Sequence, residues 1–300
     1  VRCAWSLAAW LLLAAAPAHA ALTGVRYCDR AEPLSARQQD RLLRFAAIAR
    51  RELEGSGHDV ALIARSGIDL GRFGVRYSHA GVSLRSSGNA PWSVRQLYFS
   101  CDEGRPRLYD QGLAGFLLST DDAAVGYVSI VWVPREQAAA LERAALDNAR
   151  ALRLLAADYS ANAYPYSVRY QNCNQWVIEL VAAAWGGLPD GDELRTRAQA
   201  WLSAQRYDPA VIDVGSHLLM FAGQFIPWVH YDDHPQDDRL ALRFRTSLPQ
   251  SIEAFVRGRV PGAQRVELCH DERQVVIRRG WEPLAEGCRP GPDDRVVALD

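Results

Sequence analysis

The sequence predicts an α+β protein with an antiparallel sheet packed on helices, and three observations carry that expectation. Two adjacent segments, "VRYSHAGVSLR" at 75–85 and "PWSVRQLYF" at 91–99, read as half-buried strands and stand close enough to pair as a hairpin. An amphipathic stretch precedes them, "SARQQDRLLRFAAIARRELEGSG" at 35–57, with glycines where a helix would stop. An alanine-rich helical stretch follows, "REQAAALERAALDNARALRLLAAD" at 135–158. Successive strands with helices before and after them imply a sheet covered by helices.

The other elements fall in order. "VALIARSG" at 60–67 reads as a strand giving way to a turn, and "GYVSIVWVP" at 126–134 as a strongly apolar strand ended by Pro134. Between them "RPRLYDQG" and the short "AGFLLS" complete the N-terminal half. From 173 the residues Val177, Leu180, Val181 and Ala184 recur at helical spacing until Gly186 and Gly187, and a helical or mixed region continues to His217. A weak composition break at Val260–Gly262 sets off a tail. The expected organisation is a leader at 1–20, one domain at 21–260 and a disulfide-bearing appendage at 261–300.

The leader expectation rests on "VRCAWSLAAWLLLAAAPAHA", with Arg2 before an apolar run from Ala4 to Ala16 and an Ala-His-Ala ending that a signal peptidase would cut after Ala20. That run is shorter than the ~20 residues a bilayer span needs. All 34 basic residues are arginine, which suggests a GC-rich bacterial genome and, with the leader, a Gram-negative periplasm. A net charge of −1 and no basic helix give no footprint for nucleic acid. No phosphate loop with a lysine and no Gly-x-Ser-x-Gly elbow is present, and no cofactor is expected.

Past the leader five cysteines remain, an odd count for an oxidising compartment, so at least one thiol is expected to stay unpaired. Cys269 and Cys288 flank what reads as two short strands around a turn, which makes a local bridge plausible. Cys28 and Cys101 could tie the N-terminal arm to the sheet, although other pairings are open. Cys173 would then remain, in "YQNCNQW", with Asn172 as a helix cap. A thiol in the first turn meets the positive end of the helix dipole and free backbone N–H groups, which favour the thiolate and can hold an oxyanion. The alternative is a small buried residue that opens a core helix.

A base changes that balance. His79 stands at the start of a strand, followed by small Ala80 and Gly81 that leave room beside the ring. "SHAGV" followed much later by "NCNQW" resembles the circularly permuted papain-like superfamily, which includes permuted NlpC-type cell-wall hydrolases, the lecithin retinol acyltransferase group and deSUMOylating-type isopeptidases. The layout of "HAGV", "LYDQGLAGFLL", "YQNCNQWVIELVAAAWG" and "FIPWVHYDDHP" also resembles an uncharacterised family of secreted proteobacterial proteins bearing a domain of unknown function. The superfamily resemblance implies a permuted papain-like fold, Cys173 as nucleophile, His79 as general base and an orienting polar residue on the next strand. Gln96 fits that place, with Asn89 and Asp102 as weaker substitutes.

Around this pair, Tyr166, Tyr170 and Tyr164 could donate to a developing oxyanion, Asn172 and Asn174 could shape the turn, and Trp176 could line a cleft or fill the core. A rival cluster, His217, His230 and His234 amid Asp232, Asp233, Asp237 and Asp238, has the ligand types of a metal site without a convincing spacing, and no metal is expected. The function expected is that of an exported cysteine hydrolase or acyltransferase acting on a cell-envelope amide or ester, without a membrane anchor after cleavage. The competing class is a noncatalytic periplasmic binding or assembly protein that keeps the fold.

Overall fold

The structure, a computed structural model, describes residues 34–299; the expected leader at 1–20 and Cys28 lie outside the described residues. Helix α1 (Ala36–Glu54) begins where the Ser35 hydroxyl accepts from Gln38 N and the Gln38 side chain accepts from Ser35 N at 2.9 Å. This capping box satisfies two donors that the first turn leaves free. Gly55 ends the helix, and Leu42, Phe45, Ala49 and Leu53 form its buried stripe.

The strands β1 (Val60–Arg65), β2 (His79–Leu84), β3 (Ser93–Ser100), β4 (Arg105–Gln111) and β5 (Gly126–Trp132) join one eight-stranded sheet with β10 (Gln264–His270), β11 (Gln274–Arg279) and β12 (Arg295–Ala298). Its order is β12-β11-β10-β5-β1-β2-β3-β4, and every pairing is antiparallel. Every residue of β1 and of β5 is buried, because helices cover both faces of the sheet centre. Leu62, Ala64, Ala80, Val82 and Leu97 face a core shared with Cys173, Trp176, Val177 and Leu141. Ala61, Ile63 and Val94 face the opposite core, with Phe45, Leu53 and Phe116. The α+β class and its antiparallel sheet are therefore present.

Two boundaries differ from expectation. The stretch at 261–300 is no appendage to the sheet: it supplies three of the eight strands, and β10 pairs with β5 in the sheet interior. The composition break marks the turn leaving helix α9 (Pro249–Arg259), where Gly262 takes a φ of 85°. The alanine-rich stretch forms two helices, Arg135–Leu146 and Asn148–Arg153, because Asp147 turns extended (ψ 99°) and its carboxylate accepts from Arg150 N at 3.1 Å. An internal Asp thus acts as a new N-cap, a choice that helix propensity alone does not reveal.

Cys269 and Cys288 form a disulfide with Cα atoms 5.6 Å apart. It fastens β10 to the turn at Glu286–Cys288 beyond the β10–β11 hairpin. No helix among the described residues is long and apolar enough to cross a membrane.

Candidate functional site

Cys173 opens helix α5 (Cys173–Trp185), whose first eleven residues are all buried. Asn172 sets the start: its Oδ1 accepts from Gln175 N at 2.7 Å, while its Nδ2 donates to Thr246 Oγ1 (2.9 Å) and Ala161 O (3.1 Å). The cap therefore also fixes the turn at Ala161 and the end of the strand Arg243–Thr246. Cys173 is the free cysteine among the described residues, and its sulfur donates to Ser78 O at 4.0 Å. Asn174 Nδ2 reaches the same carbonyl at 3.2 Å, which pins the helix start to the residue before His79.

His79 begins β2, and the hairpin expected with "PWSVRQLYF" is β2–β3. His79 Nε2 lies 2.5 Å from Gln96 Oε1, and Gln96 Nε2 donates to Gln111 Oε1 at 2.6 Å. In this orientation of the amides Gln96 accepts from Nε2–H, so the lone pair sits on Nδ1. Nδ1 makes no hydrogen bond among the described residues and, unlike His234 Nδ1, is not enclosed. Gly81 permits the approach: a Cβ there would stand 2.4 Å from Val94 Cγ1 and 3.0 Å from Arg95 O, and would press on Gln96 Cβ. The third partner is Arg65, paired with His79 in the β1–β2 register. Its guanidinium lies over the Phe116 ring at 5.2 Å and donates to Ser119 O.

Burial pushes the Cys173 thiol up to about 11. The N–H groups of Asn174 and Cys173, Arg65 and the Tyr159 hydroxyl pull the other way without overcoming it. Burial first, and Arg65 second, take His79 down to about 3 against the support of Gln96. At rest the pair is therefore thiol and neutral imidazole. No hydrogen bond joins Sγ to the ring among the described residues. Ala80 and Val82 point into the Cys173 core, whereas His79 alternates toward Gln96, Arg65 and Phe116, so the sulfur touches the backbone beside His79 and the ring turns to the other side.

The structure thus brings His79 to Gln96 and Cys173 to the residue beside His79. Several neighbours take other roles. Trp176 is wholly buried, with Nε1 donating to Ala151 O at 3.2 Å, and Asn172 is 1% exposed, so neither can touch a substrate. The Tyr166 hydroxyl donates to Tyr207 O at 2.5 Å, Tyr170 stacks on His230 and Tyr164 packs on His234. The tyrosine at the sulfur is Tyr159, delivered by a two-residue parallel pairing of 158–159 with 170–171. A pairing that short has no periodicity to read, and Arg65 was hidden at the end of an apolar strand. Asn89 donates to Asp110 O (2.8 Å) and Asp102 is exposed, so neither orients His79. Cys101 is disulfide-bonded, whereas its expected partner Cys28 lies outside the described residues. Among the described residues no three His, Cys, Asp or Glu side chains converge as a metal would require.

Neither a curated protein nor a solved structure matches the chain. A family model does match, over residues 52–256, a stretch that holds Arg65, His79, Gln96, Gln111, Tyr159 and Cys173 together. The chain belongs to the bacterial family described as "Uncharacterized protein conserved in bacteria (DUF2145)".

Proposed function

We propose that this protein is an exported cysteine hydrolase or acyltransferase, acting in the periplasm through Cys173 and His79 on an amide or ester of the cell envelope, with a permuted papain-like arrangement of the pair. The observation that carries this reading is a free thiol on the first turn of a buried helix, its sulfur on the carbonyl of Ser78, the residue before a histidine whose imidazole is already held by an oriented amide. Sγ would attack the acyl carbon while its proton passes to His79 Nδ1. The amine or alcohol would leave with that proton, and water or another nucleophile would then cleave the thioester, restoring the thiol. The N–H groups of Cys173 and Asn174 and the Tyr159 hydroxyl are the donors available to the tetrahedral oxyanion. The Cys269–Cys288 bridge agrees with an oxidising compartment.

The second reading, a noncatalytic envelope protein, draws on the raised thiol pKa and the missing bond between sulfur and ring. Iodoacetamide separates the two. The enzyme reading expects rapid alkylation of Cys173 at pH 7 that falls at least ~10-fold in His79→Ala. Slow alkylation that climbs only toward pH 11 and ignores His79 would remove it.

A further inference from the structure

Among the described residues, buried arginines carry carboxylates, with one exception. Arg195 Nε meets Glu179 at 2.9 Å, and Arg265 meets Glu253 at 2.9 Å and Glu267 at 3.2 Å. Arg65 is equally buried, 7% exposed, yet has no carboxylate within ion-pair distance among the described residues; Asp121 acts on it only from further away. Nη1 is spent on Ser119 O. Nε is enclosed without a partner, and Nη2 makes no hydrogen bond and is not enclosed. A desolvated cation lacking a counter-ion costs several kcal/mol in general, so it is poorly explained as a stabilising feature.

The unused edge has a specific shape. Nε and Nη2 are the two parallel donors that grip a carboxylate side-on, and among the described residues the same edge does so three times, Arg195 holding Glu179 at 2.9 and 3.2 Å. Arg95 holds Asp110 through it at 2.7 and 2.6 Å, and Arg278 holds Asp294 at 2.7 and 2.7 Å. At Arg65 the edge is unused, with Nη2 open, and the Arg65 backbone is tied to the candidate nucleophile through Ser78, whose N donates to Arg65 O at 3.2 Å and whose O receives the Cys173 sulfur, while the guanidinium charge favours the Cys173 thiolate.

Resting on the thiol reading above, we propose that Arg65 is a carboxylate subsite that binds an anionic group of the substrate next to the carbonyl attacked by Cys173. The substrate class is then narrower than any envelope amide or ester. It is an acyl compound with a free carboxylate close to the scissile bond, as at the carboxyl end of a peptide.

A pair of thiol reagents tests this on the whole protein without knowledge of the substrate. Iodoacetate and iodoacetamide react with the same thiolate and differ in one carboxylate, so the ratio of their rates at Cys173, read by peptide mass spectrometry, cancels the thiol pKa. The expected ratio in the native chain exceeds that of the urea-unfolded chain by about tenfold, falls to the unfolded value in Arg65→Gln, and lies between in Arg65→Lys, which keeps the charge and loses the two-donor edge. Equal ratios in native and unfolded chains overturn the subsite, and that comparison needs no variant. If iodoacetamide is then still fast and dependent on His79, the thiol reading stands alone. If both reagents reach Cys173 only upon unfolding, both readings fall.

Discussion

Two buried polar clusters adjoin helix α5, and they are built on opposite terms. Around Glu179 every carboxylate oxygen is used: Oε1 accepts from Gln199, Gln175 and Arg195 at 2.7, 3.0 and 3.2 Å, and Oε2 from Gln171 and Arg195 at 2.6 and 2.9 Å. Only Gln175 Oε1 is left over. Around Cys173, by contrast, Arg65 Nε and Asn174 Oδ1 have no partner and His79 Nδ1 is bare. A saturated cluster holds the fold in place. An unsaturated one, carrying the same desolvation, is set for something that is not yet there.

The largest test of this contrast is Glu179→Ala, which strands Arg195 as a buried, unpaired charge and should cost ~3–5 kcal/mol in urea unfolding. Arg65→Gln should instead be neutral or stabilising within about 1 kcal/mol, because no ion pair is broken; a loss as large as that of Glu179→Ala would erase the distinction. Between them lies Asn172→Ala, expected to cost ~1–2 kcal/mol through the lost cap and the freed contact with Thr246. A separate effect is acidic. His79 and His270 are held by burial near 3 and near 4, below the ordinary imidazole value, so the unfolded chain binds protons first as the pH drops. Their stabilising contribution, complete above about pH 6.5, should be lost progressively toward pH 4 and pH 3, and His79→Gln should flatten that slope in urea titrations.

Much of the open cluster was legible in the sequence, and little of the closed one. His79, Gln96 and Cys173 advertise themselves by local pattern: a histidine opening an alternating strand, an amide on the next strand, and an Asn-capped cysteine before an apolar helical run. The hairpin geometry converts that pattern into contact, since Gly81 lets β3 come close. Arg65 and Tyr159 become visible only when β1 pairs with β2 and residues 158–159 meet 170–171, pairings that leave no local trace. Glu179 reads as an ordinary helical residue until Arg195 and Gln199 arrive from the next helix. For the same reason the 261–300 stretch looked separable: nothing within it records that β5 awaits it.

That last strand pairing governs how the molecule must be made. The family match ends at 256, while β10 begins at 264 and lies against β5 along seven paired residues. A chain truncated where the match ends would leave Gly126–Trp132 as a bare, apolar edge with unmet amide hydrogens, ready to add any passing strand. The part of the sheet that carries His79 and packs on the helix of Cys173 is therefore completed by a strand from beyond the family match, and excising it as a minimal unit would yield an aggregating fragment.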